Sequence, residues 1–231
     1  MKTIAHSKLN KRLLCASEFV RQDAYFADIG TDHAYLPLFL LDIGRISSAV
    51  CADINRGPLE IAKRNATEAG LYERISFVKT DGAEGLSDMG ITDYAICGMG
   101  GELIADIIER SPHLMSGDVR LILGPMSKQA HLRRYLSKKG FSRVNEAYSY
   151  DAGKYYLTVV AEYTGEPCEI SEFEAEFGKI PPRDKFTPEM RGYFDNKIKA
   201  IKKIIKGKSH SLSDTAAEQK LLSEFIKRVG F

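Results

Sequence analysis

Tyr25-Phe26-Ala27-Asp28-Ile29-Gly30-Thr31-Asp32-His33-Ala34-Tyr35-Leu36-Pro37 reads as a short apolar strand ending in Asp-Ile-Gly, a tight polar turn, and the start of a helix. A second apolar run, Val50-Cys51-Ala52-Asp53, also ends in an acid. It follows at about the 20-residue interval at which dinucleotide-type α/β folds fix an adenosine ribose. Ligands of open α/β sheets bind at the carboxyl ends of the strands, where both acids fall. A pyrophosphate cradle needs several glycines so that backbone N–H groups can approach two phosphates. Here Gly30 stands alone between Asp28 and Asp32. Two carboxylates repel a pyrophosphate and suit a cation, such as a sulfonium that also carries an α-ammonium group. The turn therefore points to S-adenosylmethionine rather than NAD. The plain alternative is a buried strand followed by a solvated Asp turn.

The chain has 231 residues, 44% hydrophobic and 28% charged, which suits one globular α/β domain with a small appendage. No apolar run reaches the length of a membrane span, and Met1-Lys2-Thr3-Ile4-Ala5-His6 has no signal-peptide core. Cys15, Cys51, Cys97 and Cys168 are far apart. Thiols in a reducing cytoplasm are expected, with Cys51 and Cys97 buried in strands. The five histidines form no ligand pair with one another or with cysteine, so no metal is expected. The net charge of +2 divides into +4 over residues 1–22, −8 over residues 23–180 and +6 over residues 181–231. Basic ends suit a polyanion and an acidic middle suits a cation, although Lys-rich surfaces also serve simply as soluble faces.

In chain order, residues 6–21 read as an amphipathic helix with Leu9, Leu13, Ala16 and Val20 inward. Its basic remainder, Lys8, Lys11, Arg12 and Arg21, either meets phosphate or is solvated. A helix over 34–42 follows the first strand, then a strand over 48–52 ending at Asp53, a turn from Ile54, and a helix opened by Pro58 and closed by Gly70. Strand 75–79 delivers Asp81-Gly82 to the same edge, where the acid either accepts from an adenine amino group or only forms a turn. Strand 93–97 runs into Gly98-Met99-Gly100-Gly101, a turn that implies close backbone approach. A helix over 102–109 should bury Leu103, Ile104, Ile107 and Ile108. Strand 119–123, a basic helix closed by Gly140, and two alternating strands over 141–150 and 155–163 complete a mostly parallel sheet whose last strand is antiparallel.

Residues 166–186, with Pro167, Pro181, Pro182 and an acidic run, read as a linker holding at most a short helix. Thr187-Pro188 then opens a helix carrying Met190, Phe194, Ile198, Ile201 and Ile205, expected to stop at Gly207. Ser213 can cap a second helix with Leu221, Leu222, Phe225 and Val229 inward. The two should form an antiparallel hairpin leaning on the sheet, with Lys197, Lys199, Lys202, Lys203, Lys206 and Lys208 outward as a basic arm for nucleic acid. The expected division is a sheet domain over 1–165, the linker, and the hairpin over 187–231.

With S-adenosylmethionine as ligand, the reaction is an in-line methyl transfer that the protein promotes by proximity and orientation. Asp28, Ile29 and Gly30 would seat the methionine end, Asp53 and Ile54 the ribose, and Asp81 and Gly82 the adenine. Gly98, Met99 and Gly100 would line the space where the methyl group emerges. No Asn-Pro-Pro-Tyr or Asp-Pro-Pro-Tyr follows strand four, so nothing marks an exocyclic amino acceptor. A ring nitrogen is already nucleophilic, and the positive charge built on it calls for a carboxylate. Asp32 is the candidate, with His33 and Tyr35 as base contacts.

Asp28-Ile29-Gly30-Thr31-Asp32-His33-Ala34-Tyr35-Leu36-Pro37, the Gly98-Met99-Gly100-Gly101 turn and the C-terminal helical hairpin together resemble the bacterial tRNA (adenine-22-N1)-methyltransferases of the TrmK type. The resemblance covers essentially the whole chain. It implies a Rossmann-like class I methyltransferase domain, S-adenosylmethionine as donor and a C-terminal coiled-coil hairpin that helps hold tRNA, which joins the expectation from the residues of a cytoplasmic enzyme with no membrane, metal or obligate protein partner. Where that family usually shows Leu-Gln-Pro-Asn, this chain has Leu123-Gly124-Pro125-Met126, so two polar side chains are missing where a target base would dock. The alternatives are a nicotinamide-dependent oxidoreductase and a non-catalytic RNA-binding protein.

Overall fold

The computed structural model describes residues 9–210 and 213–229. Five parallel strands, β1 (Phe26–Ile29), β2 (Ala49–Asp53), β3 (Ile75–Lys79), β4 (Asp93–Cys97) and β5 (Arg120–Gly124), are followed by β6 (Arg143–Asp151) and β7 (Lys154–Glu162). They form one sheet in the order β3-β2-β1-β4-β5-β7-β6, with β7 antiparallel to both its neighbours. This is the Rossmann-like mixed sheet that the sequence leads one to expect. The β6–β7 hairpin turns through Ala152 and Gly153, both at positive φ (45° and 82°), which matches the right-handed strand twist.

Side chains of each central strand alternate between two cores, as period-two geometry requires. Phe26, Ala49, Cys51 and Ala95 face a cluster built with α1 (Lys11–Ser17), α2 (Tyr35–Asp42) and α3 (Arg56–Glu68). Ala27, Ile29, Val50, Ala52, Tyr94 and Ile96 face the other, built with α4 (Gly101–Arg110) and α5 (Gln129–Lys139). Helix α2 is apolar almost all round, with Leu36 to Leu41 buried, because it lies between the sheet and α1. Pro37 is tolerated at its third position, where an N–H has no intrahelical acceptor.

The expected 6–21 helix is shorter. Its first residues, Lys8 included, lie outside those described, and Asn10 caps α1 by accepting from the Leu13 N–H at 2.9 Å. Beyond Ser17 the chain turns so that Arg21 reaches Asp93. That carboxylate is fully buried and accepts from the Arg21 backbone N–H (2.8 Å) and Nε (2.7 Å). Arg120 ties the same segment down by donating to the Phe19 carbonyl while pairing with Glu162. Leu103, expected inward, is 47% exposed, since the buried arc of α4 runs through Ile104, Ala105, Ile107 and Ile108.

Residues 166–186 hold α6 (Glu172–Phe177), fastened by a Ser171 capping box, with Phe173, Ala175 and Phe177 buried. Gly207 does not end the next helix. Without a positive φ it stays helical, and α7 runs Pro188–His210. Helix α8 (Ala216–Val229) starts past Ser213, and Asp214 accepts from its first N–H at 2.8 Å. Phe194, Ile201, Phe225 and Val229 join Phe177 in the sheet-side core. Helix α7 comes so close that a Cβ on Gly192 would overlap the Tyr155 ring. Two of the expected outward lysines are paired: Lys197 with Glu176 (2.9 Å) and Lys208 with Glu218 (2.7 Å).

Removing one partner from a buried ion pair strands the other charge. Arg21→Ala should therefore lower stability by roughly 3 kcal/mol, read as a shift of the urea unfolding midpoint without a change in slope.

Candidate active site

The order of the parallel strands reverses between β1 and β4, so the turns that follow these strands diverge and leave a crevice at the carboxyl edge. Asp28 lies one residue before the end of β1, on the face of Phe26 and Cys51, and is 9% exposed. Burial pushes its carboxyl up to about 6, with the Thr31 hydroxyl and the Arg12 charge pulling the other way and Asp53 adding to the rise. Ile29, the last residue of β1, is buried in the opposite core and shapes the floor only through its backbone.

Gly30 takes φ +74°, a conformation other residues adopt at a cost, and a Cβ there would overlap the Met99 methyl group. Its N–H and that of Thr31 both donate to the Ala52 carbonyl, at 2.8 and 3.0 Å. Neither is free to cradle a phosphate, which removes the feature a dinucleotide site depends on. Met99 thereby joins the turns after β1 and β4. Ala34 precedes α2 at φ +56°, a left-handed conformation that is strained for a residue with a Cβ. It lifts Asp32 and His33 to the surface. The Asp32 side chain is 73% exposed, and its Oδ2 lies 3.1 Å from His33 Nε2. The His33 ring stacks on Tyr35, with centroids 5.0 Å apart and 14° between planes. Asn65 holds the His33 carbonyl at 2.9 Å.

At the end of β2, Asp53 is half-buried and its Oδ1 accepts from the Asn55 N–H at 2.7 Å, while Ile54 is 53% exposed beside it. Asp81 receives both Arg110 nitrogens at 3.1 Å, and Glu84 shares the same guanidinium. A carboxylate has about four lone-pair positions, so this fork orients Asp81 and leaves it able to accept further. Gly82 permits close packing: a Cβ at this position would sit 3.0 Å from Ile107. Gly98 (φ +91°) donates to the Gly124 carbonyl, and Gly100 bridges Ser127. A side chain on Gly101 would strike the Lys128 carbonyl.

The residues after β5 have a local reason. A Cβ on Gly124 would lie 3.0 Å from Cys97 Sγ, so glycine here accommodates that thiol. Met126, 46% exposed, gives the crevice an apolar rim. One neighbour, read from sequence as either a phosphate contact or a solvated cation, lies in the crevice. Arg12 projects from α1 into the crevice, and its Nη1 lies 3.5 Å from where a Gly98 Cβ would be. Amphipathic periodicity could place it only off the apolar face of the helix. Among the described residues, no group of three or more His, Cys, Asp or Glu could hold a metal, and no helix is long and apolar enough to cross a membrane.

A family model described as a methyltransferase domain matches residues 9–159. The chain belongs to that family. It is 38% identical over 155 residues to the tRNA (adenine(22)-N(1))-methyltransferase of Bacillus subtilis, covering 67% of this chain and 65% of that protein. The chain thus spans just under two thirds of the length of the curated relatives it matches. Solved structures align over nearly their full length. The B. subtilis m1A22 tRNA methyltransferase TrmK superposes with a TM-score of 0.74 at 29% identity, covering 96% of each chain. Sp1610 of Streptococcus pneumoniae, a proposed tRNA (m1A22) methyltransferase in complex with S-adenosyl-L-methionine, gives 0.78 at 30% identity, covering 91% of this chain and 98% of that one. The chain is therefore homologous to the bacterial TrmK-type methyltransferases.

A carboxyl whose pKa is higher in the folded than in the unfolded chain makes stability fall as pH rises between the two values. For Asp28 that window runs from 3.8 to about 6, and the deficit is fully present at neutral pH. Asp28→Asn should be more stable than the parent by as much as about 3 kcal/mol at pH 7, the advantage vanishing near pH 4. Urea unfolding of both proteins across that range checks it.

Proposed function

We propose that the protein transfers a methyl group from S-adenosylmethionine to N1 of adenine 22 in tRNA, in the cytoplasm. The observation that carries this reading is the buried Asp28 at the strand-order reversal, beside a turn whose N–H groups are already engaged by Ala52. Such a site favours a cationic ligand over a pyrophosphate. The near full-length likeness to a structure holding S-adenosyl-L-methionine supports it.

When bound, S-adenosylmethionine supplies an electrophilic methyl group on a sulfonium. Asp28 and the Gly30 turn hold the methionine end, and Ile29 fixes the backbone beneath it. Asp53 takes the ribose hydroxyls with the oxygen that Asn55 leaves free, and Ile54 covers the sugar. Asp81, aligned by Arg110, accepts from the adenine amino group above Gly82. Gly98, Met99 and Gly100 border the methyl group, keeping side-chain bulk out of the line of transfer. Methylation of the target adenine at N1 would leave the base cationic. Asp32 stabilises that charge, and the His33–Tyr35 stack offers a flat surface for the base. Met126 adds apolar contact in place of a polar side chain.

The exposed lysines of α7, Lys199, Lys202, Lys203 and Lys206, form the tRNA-facing arm, with the sheet domain over 1–165 as the catalytic unit. Binding should weaken with salt, and replacing the four by Gln should flatten the slope of log affinity against log salt by about one for each phosphate that is no longer neutralised.

The deciding assay is transfer of labelled methyl from S-adenosylmethionine to an unmodified bacterial tRNA transcript and to one with guanine at position 22. Label on the first alone is expected. Equal label on both would discard the site, and none on either would discard the acceptor. Asp32→Ala should reduce turnover about a hundredfold or more while tRNA binding persists. Full activity would remove Asp32 from the mechanism.

A further inference from the structure

Beyond β5 the sheet continues into a hairpin that rises above the carboxyl edge. Leu123 pairs with Val159, so the first residues of β7 extend past the end of β5. Tyr155 precedes Val159 by four residues, which lifts it roughly 13 Å above that pair at the rise of a strand. Helix α7 packs against this wall. A Cβ on Gly192 would overlap the Tyr155 ring, and the Tyr150 ring lies beside it with centroids 4.6 Å apart. Between β7, α7 and the start of α5 lies a cleft of about 240 Å³, lined by Gln129, Tyr155, Tyr193, Asn196 and Lys197.

The polar groups of this cleft are in different states. Lys197 is engaged by Glu176 at 2.9 Å, and Gln129 Nε2 donates to the Pro125 carbonyl at 3.3 Å. Gln129 Oε1, the Asn196 amide and the Tyr155 hydroxyl make no hydrogen bond among the described residues. An amide presents a donor and an acceptor side by side, and a phenol can serve as either. Nucleobase edges carry the complementary pairs. A site built for phosphate alone would offer a free cation, whereas the ammonium here already has its carboxylate. Sites for drug-sized ligands measure about 300–1,000 Å³, so the smaller cleft suits a single planar ring system.

Its position says where that ring comes from. Gln129 is tied to Pro125, the residue before Met126 on the acceptor-side rim. Asn196 shares one face of α7 with the exposed Lys199 and Lys203, at three- and four-residue steps. A polynucleotide that follows these lysines to a target adenine at the Met126 rim must cross the cleft. We propose that the cleft takes one unstacked base of the tRNA beside the target adenine, its edge read by Asn196, Gln129 and the Tyr155 hydroxyl. This rests on the tRNA-methylation reading above and adds a recognition site outside both the cofactor crevice and the lysine arm. Holding the neighbouring base keeps the target turned out of its stack during transfer.

The test measures kcat/KM for methyl transfer by the full-length chain on three tRNA transcripts. One is intact, one is abasic at the nucleotide before the target adenine, and one is abasic at the nucleotide after it. The wild type should lose about tenfold or more on one of the abasic transcripts. Asn196→Ala and Tyr155→Phe should each lower kcat/KM on the intact transcript by about threefold to tenfold. On the abasic transcript that the wild type handles poorly, both variants should match the wild type, because the base they contact is already gone. Equal losses on all three transcripts would mean a backbone or structural role and would overturn the assignment. Variants that match the wild type on the intact transcript would overturn it too, as would a wild type indifferent to both abasic sites. Tyr155→Phe keeps the ring against Gly192, so a failure to fold does not stand in for a result. Affinity for S-adenosylmethionine, by isothermal titration, should stay within about twofold in both variants, and a larger fall would move these residues to the cofactor site. Transfer to the intact transcript without this coupling removes the cleft alone. No transfer to any transcript removes the proposed function and this inference with it.

Discussion

Two parallel strands that lie side by side but send their following helices to opposite faces cannot close the gap between their carboxyl ends. β1 leads into α2 on one face and β4 into α4 on the other, so everything in the candidate site hangs on this divergence. The glycines are its local consequence. Gly30 must admit Met99, Gly98 must leave room for Arg12, and Gly101 must let its helix start against the Lys128 carbonyl. Each lets two backbones or a backbone and a side chain approach at the one place where the sheet leaves space.

Asp28 illustrates the conflict between stability and function that such a crevice creates. A carboxyl buried there is destabilising at neutral pH, and burial raises its pKa well above the ordinary carboxylate value. Nothing in folding requires an acid at that position, since the neighbouring strand residues on its face are Cys51 and Ala95. A ligand cation would remove the penalty.

The C-terminal hairpin is coupled to the sheet through a buried polar knot. Arg133 donates to both oxygens of Glu146 and to the carbonyls of Ala175 and Glu176. Lys197 pairs with Glu176 against the Phe177 ring, and burial pulls its pKa down while Glu176 opposes the shift. Satisfied networks of this kind fix one arrangement of helices where apolar packing alone would permit several. The exposed lysines of α7 are thus carried on a surface held in fixed relation to the crevice.

Period-two and three-to-four-residue apolar patterns, with Gly and Pro as punctuation, determined most of the elements directly. Strands 75–79 and 93–97 begin and end where their patterns do, because local side-chain alternation is a property of the chain itself. The acid positions at strand ends were equally legible. What the sequence could not contain were the contacts between distant segments. Gly207 reads as a stop, yet the helix runs through it to His210. Lys197 reads as outward, yet the fold brings Glu176 to it. Arg12 looks like one more solvated cation on a basic helix. Only the packing of α1 across the sheet, fixed by Arg21 and Asp93 72 residues apart, turns it toward Gly98, since burial and pairing depend on three-dimensional neighbours that no local pattern encodes.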